Sequence, residues 1–176
     1  MLARHQMTPG RTANAVAHWP ESSLMTRNKE GFSIVLFAHP RCVCTNASLQ
    51  EFRRLLEDAR IQLQAHVAIC QPLGTPDDWL ETEQVSAAKS IPGVQFFVDH
   101  EGREANRFGA TTSGHVALFG PGGPLLFSGG ITWGRGHVGE NPGRRRVTQL
   151  LDQPTTETNG ELVSVCPVFG CPLLEE

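Results

Sequence analysis

Short runs of hydrophobic residues recur along the first part of the chain, and each run is typical of a buried β-strand. Residues 33–38 (SIVLFA) include β-branched members and lack an alternating polar face, which indicates a strand covered on both sides. Two further runs, 65–70 and 94–98, predict two more strands. Between the first two runs the apolar spacing is helical, which predicts a helix over 46–59. The residues at that spacing are Leu49, Phe52, Leu56 and Ala59.

The remaining pattern predicts more helices and a hairpin. In order, it indicates a helix over 77–90, a short helix over 103–108, strands over 115–119 and 124–127 joined by a Gly-Pro-Gly-Gly turn, and a last helix over 144–151. Strands that alternate with helices favour parallel pairing, and the late hairpin adds antiparallel strands at one side. The predicted fold class is therefore α/β, a mixed sheet flanked by helices on both faces. We expect the first strand in its interior, between the strands that contain Ala65 and His115.

The chain of 176 residues suits one domain with flanking segments. Residues 1–18 carry no apolar run and are expected to be an unstructured or anchor-proximal segment. Residues 19–153 are assigned to the domain. Residues 154–176 form a tail that is polar at first and ends in a compact apolar motif, which we expect to dock back on the domain.

Composition excludes several partners. The net charge of −3 gives no general attraction to nucleic acid or to an anionic membrane. No apolar run reaches the roughly 18 residues that a membrane-spanning helix needs, so none is expected in this chain. The basic cluster at 144–146 is interpreted as a solvated helix face.

Five cysteines are present, and an odd number leaves at least one unpaired within the chain. Cys42 and Cys44 stand where the first strand ends and the first helix begins. Helix N-termini stabilise a thiolate, and Arg41 is expected to add a positive charge, so the pKa of a cysteine here should be depressed. A disulfide between cysteines two residues apart is constrained, which suits exchange better than structure. Cys70 ends a buried strand and is interpreted as a small core residue.

The surrounding run, residues 37–52 (FAHPRCVCTNASLQEF), resembles the redox-active turn of the thioredoxin superfamily and is most similar to bacterial RedB-like thioredoxin-fold proteins. Further similar pieces are 107–119, 127–141 and 167–173, and the resemblance covers roughly residues 18–173. It implies a thioredoxin-like fold and a redox-active centre with oxidoreductase and antioxidant activity, acting on protein thiols or disulfides. Relatives of this type usually carry an N-terminal membrane anchor and face the extracytoplasmic side, so we expect that location.

Positions near the cysteine pair, the glycine-rich segment 129–141 and the resemblance together select candidate site residues. The catalytic candidates are Cys42, Cys44 and Cys171. The environment of the site is expected to consist of His39, Pro40, Arg41, Thr45, Ser113, Gly114 and His115, and possible loop contacts are Trp133, Arg135 and His137. This chain has one residue between the paired cysteines where thioredoxins have two, and Gly114 stands where the superfamily places a cis-proline. Substrate docking is therefore expected to differ.

Two functions remain open. In the first, Cys42 attacks a substrate disulfide without a cofactor, and Cys44 or Cys171 resolves the mixed disulfide. This hypothesis includes a disulfide between Cys171 and the Cys42–Cys44 turn, whereas a local bridge to Cys166 or a loose tail is the alternative. In the second, Cys42, Cys44 and a histidine (His39 or His115) hold copper as a binding module or metallochaperone, because thiolates prefer Cu(I).

Overall fold

The computed structural model describes residues 7–10, 15–152 and 163–174, which fold around one six-stranded sheet. Its strands are β1 (Phe32–Ala38), β2 (Leu63–Gln71), β3 (Val94–His100), β4 (His115–Phe119), β5 (Leu125–Gly130) and β6 (Ser164–Cys166). Its α-helices are α1 (Thr45–Asp58), α2 (Glu83–Lys89), α3 (Arg103–Phe108) and α4 (Pro142–Asp152). The predicted fold class is confirmed: the sheet is mixed, helices flank it, and the arrangement is consistent with a thioredoxin-like fold.

Strand β1 lies inside the sheet, as its continuous apolar run predicts. The strand order is β3-β2-β1-β4-β5-β6, and β1 pairs in parallel with β2 and antiparallel with β4. Every residue of β1 is buried. The prediction that residues 34–38 lie between the Ala65 and His115 strands is therefore confirmed.

Successive side chains of β1 point to opposite faces of the sheet and pack into two separate cores. Ile34 and Leu36 pack with residues of α1, α2 and α4 on one face. Val35 and Phe37 pack with α3 and with Trp19 on the other face. On that second face the Trp19 ring meets the rings of Phe108 and Phe119 edge-on, with centroids 4.9 and 5.2 Å apart. Helices therefore cover both faces.

Three local features differ in detail from the prediction. The helix expected over 77–90 is two pieces, a 3₁₀ turn at Asp77–Leu80 and then α2, because the Thr82 hydroxyl accepts a hydrogen bond from the Val85 N–H (3.2 Å) and starts a new helix. Helix α1 begins at Thr45 with Cys44 as its N-cap, one residue before the predicted start. Strand β6, which pairs in parallel with β5, was not predicted.

The basic cluster of α4 is less solvated than predicted. Arg144 Nε lies 2.8 Å from the buried Glu51 carboxylate, and the Arg144 side chain is 20% exposed. Arg145 pairs with Glu140 at 3.2 Å, and Arg146 Nε donates to Ser164 Oγ at 2.7 Å. Arg144 therefore ties α4 to α1 instead of facing water.

The segment before Trp19 contacts the hairpin. The Leu125 N–H donates to the Ala17 carbonyl at 2.9 Å, and His18 forms a β-bridge with Pro124. Ala17 and His18, which were expected in a separate segment, thus pair alongside the hairpin. Residues 1–6, 11–14, 153–162 and 175–176 of the predicted flanking segments lie outside the described residues. Within the described ranges, no helix has the length and apolar character needed to cross a bilayer.

Gly143 sets the distance between α4 and the sheet. A Cβ at this position would stand 1.9 Å from the Gly130 carbonyl oxygen. We expect Gly143→Ala to lower the free energy of unfolding by about 1–3 kcal/mol through overpacking, although alanine is the better helix former. Urea unfolding measures this. The exposed neighbour Gln149→Ala is the control and should leave stability nearly unchanged; equal stability of the two variants would contradict the close packing.

Candidate active site

The turn that follows β1 directs two thiols inward. The Cys42 N–H donates to the His39 carbonyl (3.3 Å), and the Thr45 N–H donates to the Cys42 carbonyl (3.0 Å), which closes the turn just before α1. Cys42 is 3% exposed and Cys44 is 8% exposed, whereas Val43 between them is 77% exposed. The single intervening residue thus points outward and both sulfur atoms point into the protein.

Ser113 joins the turn to the loop before β4. The His39 N–H donates to Ser113 Oγ at 2.9 Å, and Thr45 Oγ1 lies 2.9 Å from the same atom. The Thr45 hydroxyl donates to the His39 carbonyl at 3.0 Å, so the three residues close a ring of hydrogen bonds. Next to it, the Gly114 N–H donates to the Phe37 carbonyl at 2.8 Å. Gly114 has φ +93°, and a Cβ there would stand 2.7 Å from Ser48 Oγ, which explains why a glycine occupies this position.

The described part of the tail packs on the same loop. The Ser113 N–H donates to the Cys171 carbonyl at 2.8 Å, and the Leu173 N–H donates to the Thr111 carbonyl at 3.0 Å. A Cβ on Gly170 would stand 1.9 Å from the Ser113 carbonyl oxygen, so the two backbones touch. Leu173 is 1% exposed in the core under α3. The tail is therefore held by both hydrogen bonds and apolar burial.

This packing brings a third thiol to the turn. Cys171 Sγ lies 3.0 Å from Cys42 Sγ, although the two residues are 129 positions apart. The distance exceeds the roughly 2.05 Å of a disulfide, and all five cysteines are free thiols in this structure. The two thiols are within hydrogen-bonding distance, and Cys171 is the donor when Cys42 is ionised. A disulfide between these two residues stays a prediction.

The environment of Cys42 favours its thiolate. Burial raises the pKa of Cys42, but hydrogen bonds from the thiol and backbone of Cys171 and from those of Cys44 lower it, and the net pKa lies below the ordinary value. Cys42 is therefore the thiol of this cluster that ionises first. The direction agrees with the sequence-based expectation for a nucleophile at this position.

The pKa values of the other two thiols, Cys44 and Cys171, are raised. Burial raises the pKa of Cys44, and the charge and hydrogen bond of Cys42 raise it further. For Cys171, burial, the hydrogen bond to Cys42 and the charges of Cys42 and Cys44 raise the pKa to about 12. Arg135 lowers the pKa of both thiols without reversing either shift. One negative charge is thus concentrated on Cys42.

Arg135, and not Arg41, is the cation of the cluster. The Arg41 guanidinium pairs with Asp78 at 2.9 Å and lies 4.7 Å from the centroid of the Trp79 ring, so its charge is directed away from the thiols. Arg135 Nη1 lies 4.0 Å from Cys171 Sγ. The expectation that Arg41 supplies the positive charge was wrong, because Asp78 and Trp79 arrive from a distant part of the chain.

His39 takes part in the turn itself. Its Nδ1 accepts the Arg41 N–H at 3.1 Å, and its ring packs edge-on against Trp79 with centroids 5.3 Å apart. Pro40 is buried beside it. Among the described residues, no cluster of three or more His, Cys, Asp or Glu side chains is arranged to hold a metal ion. The copper alternative stays a prediction.

His115 lies within β4 and is 1% exposed. Its Nε2 is 3.1 Å from Ser128 Oγ, while Nδ1 is buried without a hydrogen-bond partner in the described part of the chain. It lines a cavity of about 390 Å³ together with Cys166 and Val168. Burial lowers the pKa of His115 to about 4. No hydrogen bond links its ring to a thiol across the described ranges, so the structure does not bring it into the cluster.

The remaining candidate residues and cysteines lie outside the thiol cluster. Trp133 and His137 are exposed on the loop that carries Arg135. Cys166 pairs with Gly129 in the sheet, and burial raises its pKa. Cys70 is 1% exposed, and burial followed by the charge of Asp99 raises its pKa to about 12, which confirms it as a core thiol.

Removing the Cys171 thiol should raise the pKa of Cys42. In Cys171→Ala the burial of Cys42 remains while its S–H donor is lost, so the thiolate should form at higher pH than in the unaltered protein. Ultraviolet thiolate absorbance followed across pH measures the shift. Cys166→Ala is the matched control and should leave the first ionisation in place; an unchanged first ionisation in Cys171→Ala would contradict the role of the sulfur contact.

Buried His115 should make stability depend on pH. Because its pKa is about 4 in the folded protein and 6.5 as the ordinary value, the unfolded chain binds more protons between these values. The free energy of unfolding should therefore rise with pH across this window, by up to about 1.4 kcal/mol per pH unit from this group. His115→Gln should remove this part of the slope, and the exposed His137→Gln should not. Urea unfolding at several pH values measures the difference, and equal slopes in all three proteins would contradict it.

Comparison with known proteins adds fold similarity alone. No protein-family model matches the chain, and no curated protein matches it. An uncharacterized conserved protein from Geobacillus kaustophilus is 15% identical with a TM-score of 0.67, over 97% of this chain and 93% of that one. A hypothetical protein from Sinorhizobium meliloti 1021 is 17% identical with a TM-score of 0.63, over 82% and 80%. MTB DsbF, solved in mixed oxidized and reduced forms, is 13% identical with a TM-score of 0.44, over 69% and 79%. At these identities the two higher scores show a shared fold.

Proposed function

We propose that the protein is a thiol–disulfide oxidoreductase in which Cys42 attacks and Cys171 resolves. The observation that supports this most is the 3.0 Å contact between the two sulfur atoms, at a helix N-terminus that favours a thiolate. A nucleophile with a lowered pKa beside a second thiol that stays protonated at first suits a two-step exchange.

The two steps balance in sulfur and in electrons. The Cys42 thiolate attacks a substrate disulfide R–S–S–R′, forms the mixed disulfide Cys42–S–S–R and releases R′S⁻. The Cys171 thiolate then attacks Cys42 Sγ, forms the Cys42–Cys171 disulfide and releases RS⁻. Two protein thiols are oxidised and one substrate disulfide is reduced. The reverse sequence oxidises two substrate thiols, and the relative stability of the two disulfides sets the direction.

Cys171 suits the resolving step better than Cys44. A bridge between Cys42 and Cys44 closes a ring across a single residue, which strains the disulfide geometry. Cys171 approaches from a separate segment that is already held by Ser113 and by burial of Leu173. A shift of about 1 Å would bring its sulfur atom within bonding distance of Cys42.

Two exposed apolar side chains support a polypeptide as the substrate. Val43 is 77% exposed next to Cys42, and Trp133 is 54% exposed two residues from Arg135. Exposed apolar side chains can contact a polypeptide, which favours a protein thiol or disulfide as the substrate. The extracytoplasmic location implied by the resemblance is part of this proposal, since such compartments permit stable disulfides.

An aromatic disulfide whose released thiolate is coloured tests the mechanism. In a Cys166→Ser background, which removes a partly exposed thiol outside the cluster, the protein should release two thiolates per chain. Cys42→Ser should abolish the fast release. Cys171→Ser should release one thiolate and retain the aromatic group on Cys42. Peptide mapping without reductant should find Cys42 linked to Cys171.

Two results would overturn the proposal. If Cys171→Ser still releases two thiolates and maps as Cys42–Cys44, then Cys44 is the resolving thiol. If the protein purified without chelator holds one copper ion per chain, and Cys42→Ser abolishes that binding, then the metal-binding function replaces exchange.

A further inference from the structure

The loop between β5 and α4 carries an arginine whose charge is not used elsewhere. Arg135 Nη1 lies 4.0 Å from Cys171 Sγ, and Arg135 Nε is buried without a hydrogen-bond partner in the described part of the chain. Within residues 7–10, 15–152 and 163–174, no carboxylate pairs with it, in contrast to Arg41 and Arg144. Its charge is therefore available to the thiol cluster.

A buried carboxylate fixes the far end of this loop. Glu51 of α1 is 0% exposed, and its Oε1 accepts the Gly139 N–H at 2.9 Å. Asn141 adds two further bonds, because its Nδ2 donates to the Gly139 carbonyl (3.0 Å) and its Oδ1 accepts the Arg144 N–H (2.8 Å). Helix α1, which begins at the paired cysteines, thus holds the loop that carries Arg135.

We propose that Arg135 is a catalytic residue of the resolving step, which holds Cys171 as a thiolate once Cys42 has entered the mixed disulfide. This inference rests on the proposed exchange function. Cys171 remains the attacking thiol of that step. Its assistant comes from a loop that neither contains a cysteine nor adjoins one in the chain.

The order of ionisation follows from the charges around Cys171. The groups that act on its thiol are Cys42 and Cys44 from the turn and Arg135 from the loop. While Cys42 is a thiolate, its hydrogen bond and charge oppose ionisation of Cys171. When Cys42 Sγ is bonded to the substrate sulfur, that charge is gone; burial still opposes ionisation of Cys171, and the attraction of Arg135 is the interaction that favours its thiolate. Cys171 then gives its proton to solvent and attacks Cys42 Sγ, and RS⁻ leaves.

Stopped-flow measurement of thiolate release from the same aromatic disulfide separates the two steps. In the Cys166→Ser background, Arg135→Gln should leave the first phase within about twofold. It should slow the second phase about tenfold, the change in thiolate fraction that one unit of pKa produces. The pH midpoint of the second phase should rise. Arg135→Lys, which keeps the charge, should restore most of the rate. Arg145→Gln, on an exposed arginine paired with Glu140, is the matched control and should change neither phase.

Each outcome decides one proposal. An unchanged rate and pH midpoint of the second phase in Arg135→Gln would overturn the role of Arg135. A second phase that Arg135→Lys does not restore would also overturn it, since a packing defect would then explain the loss. Absence of a fast Cys42-dependent first phase in the unaltered protein would instead overturn the exchange function itself.

Discussion

The ring of hydrogen bonds around Ser113 is the constraint on which the thiol cluster depends. The Ser113 hydroxyl bonds to the backbone of His39 and to the side chain of Thr45. The Ser113 N–H donates to the Cys171 carbonyl. One buried residue thus fixes the end of β1, the start of α1 and the tail relative to one another. Because buried polar groups are costly when unpaired, the three segments are stable in this arrangement only together.

Burial gives this cluster its chemical asymmetry. Three thiols close together in a poorly hydrated site cannot all ionise, so one charge settles on the sulfur that has the most donors. Cys42 has them, from Cys171 and from Cys44, and its neighbours are kept protonated by burial and by the charge of Cys42. The electrostatic difference between the proposed attacking and resolving thiols therefore arises from shared hydrogen bonds rather than from different residue types.

The sequence predicts what local patterns encode. The apolar run of β1, the hairpin glycines and the position of Cys42 at a strand end were all read correctly, and the compact motif around Cys171 indicated that the tail has a place to dock. Local patterns could not predict which arginine lies beside the thiols. Arg41 adjoins Cys42 in the chain, yet Asp78 and Trp79 draw it away, while Arg135 arrives through a glycine-rich loop that Glu51 fixes in space. Strand β6 was missed because three residues before a proline carry too little periodicity, and the division before α2 depends on one cap at Thr82.

Burial of Leu173 has a consequence for redox potential. The packing of this side chain, with the close approach of Gly170 to Ser113, keeps Cys171 at a high effective concentration beside Cys42. If the tail packs less firmly, the effective concentration of Cys171 falls, and the proposed Cys42–Cys171 disulfide becomes less stable relative to the dithiol. For a two-electron couple, about 1.4 kcal/mol corresponds to about 30 mV. The packing of an apolar side chain two residues from Cys171 thereby helps to set the stability of the proposed disulfide, and a smaller residue there should make the oxidised protein the stronger oxidant.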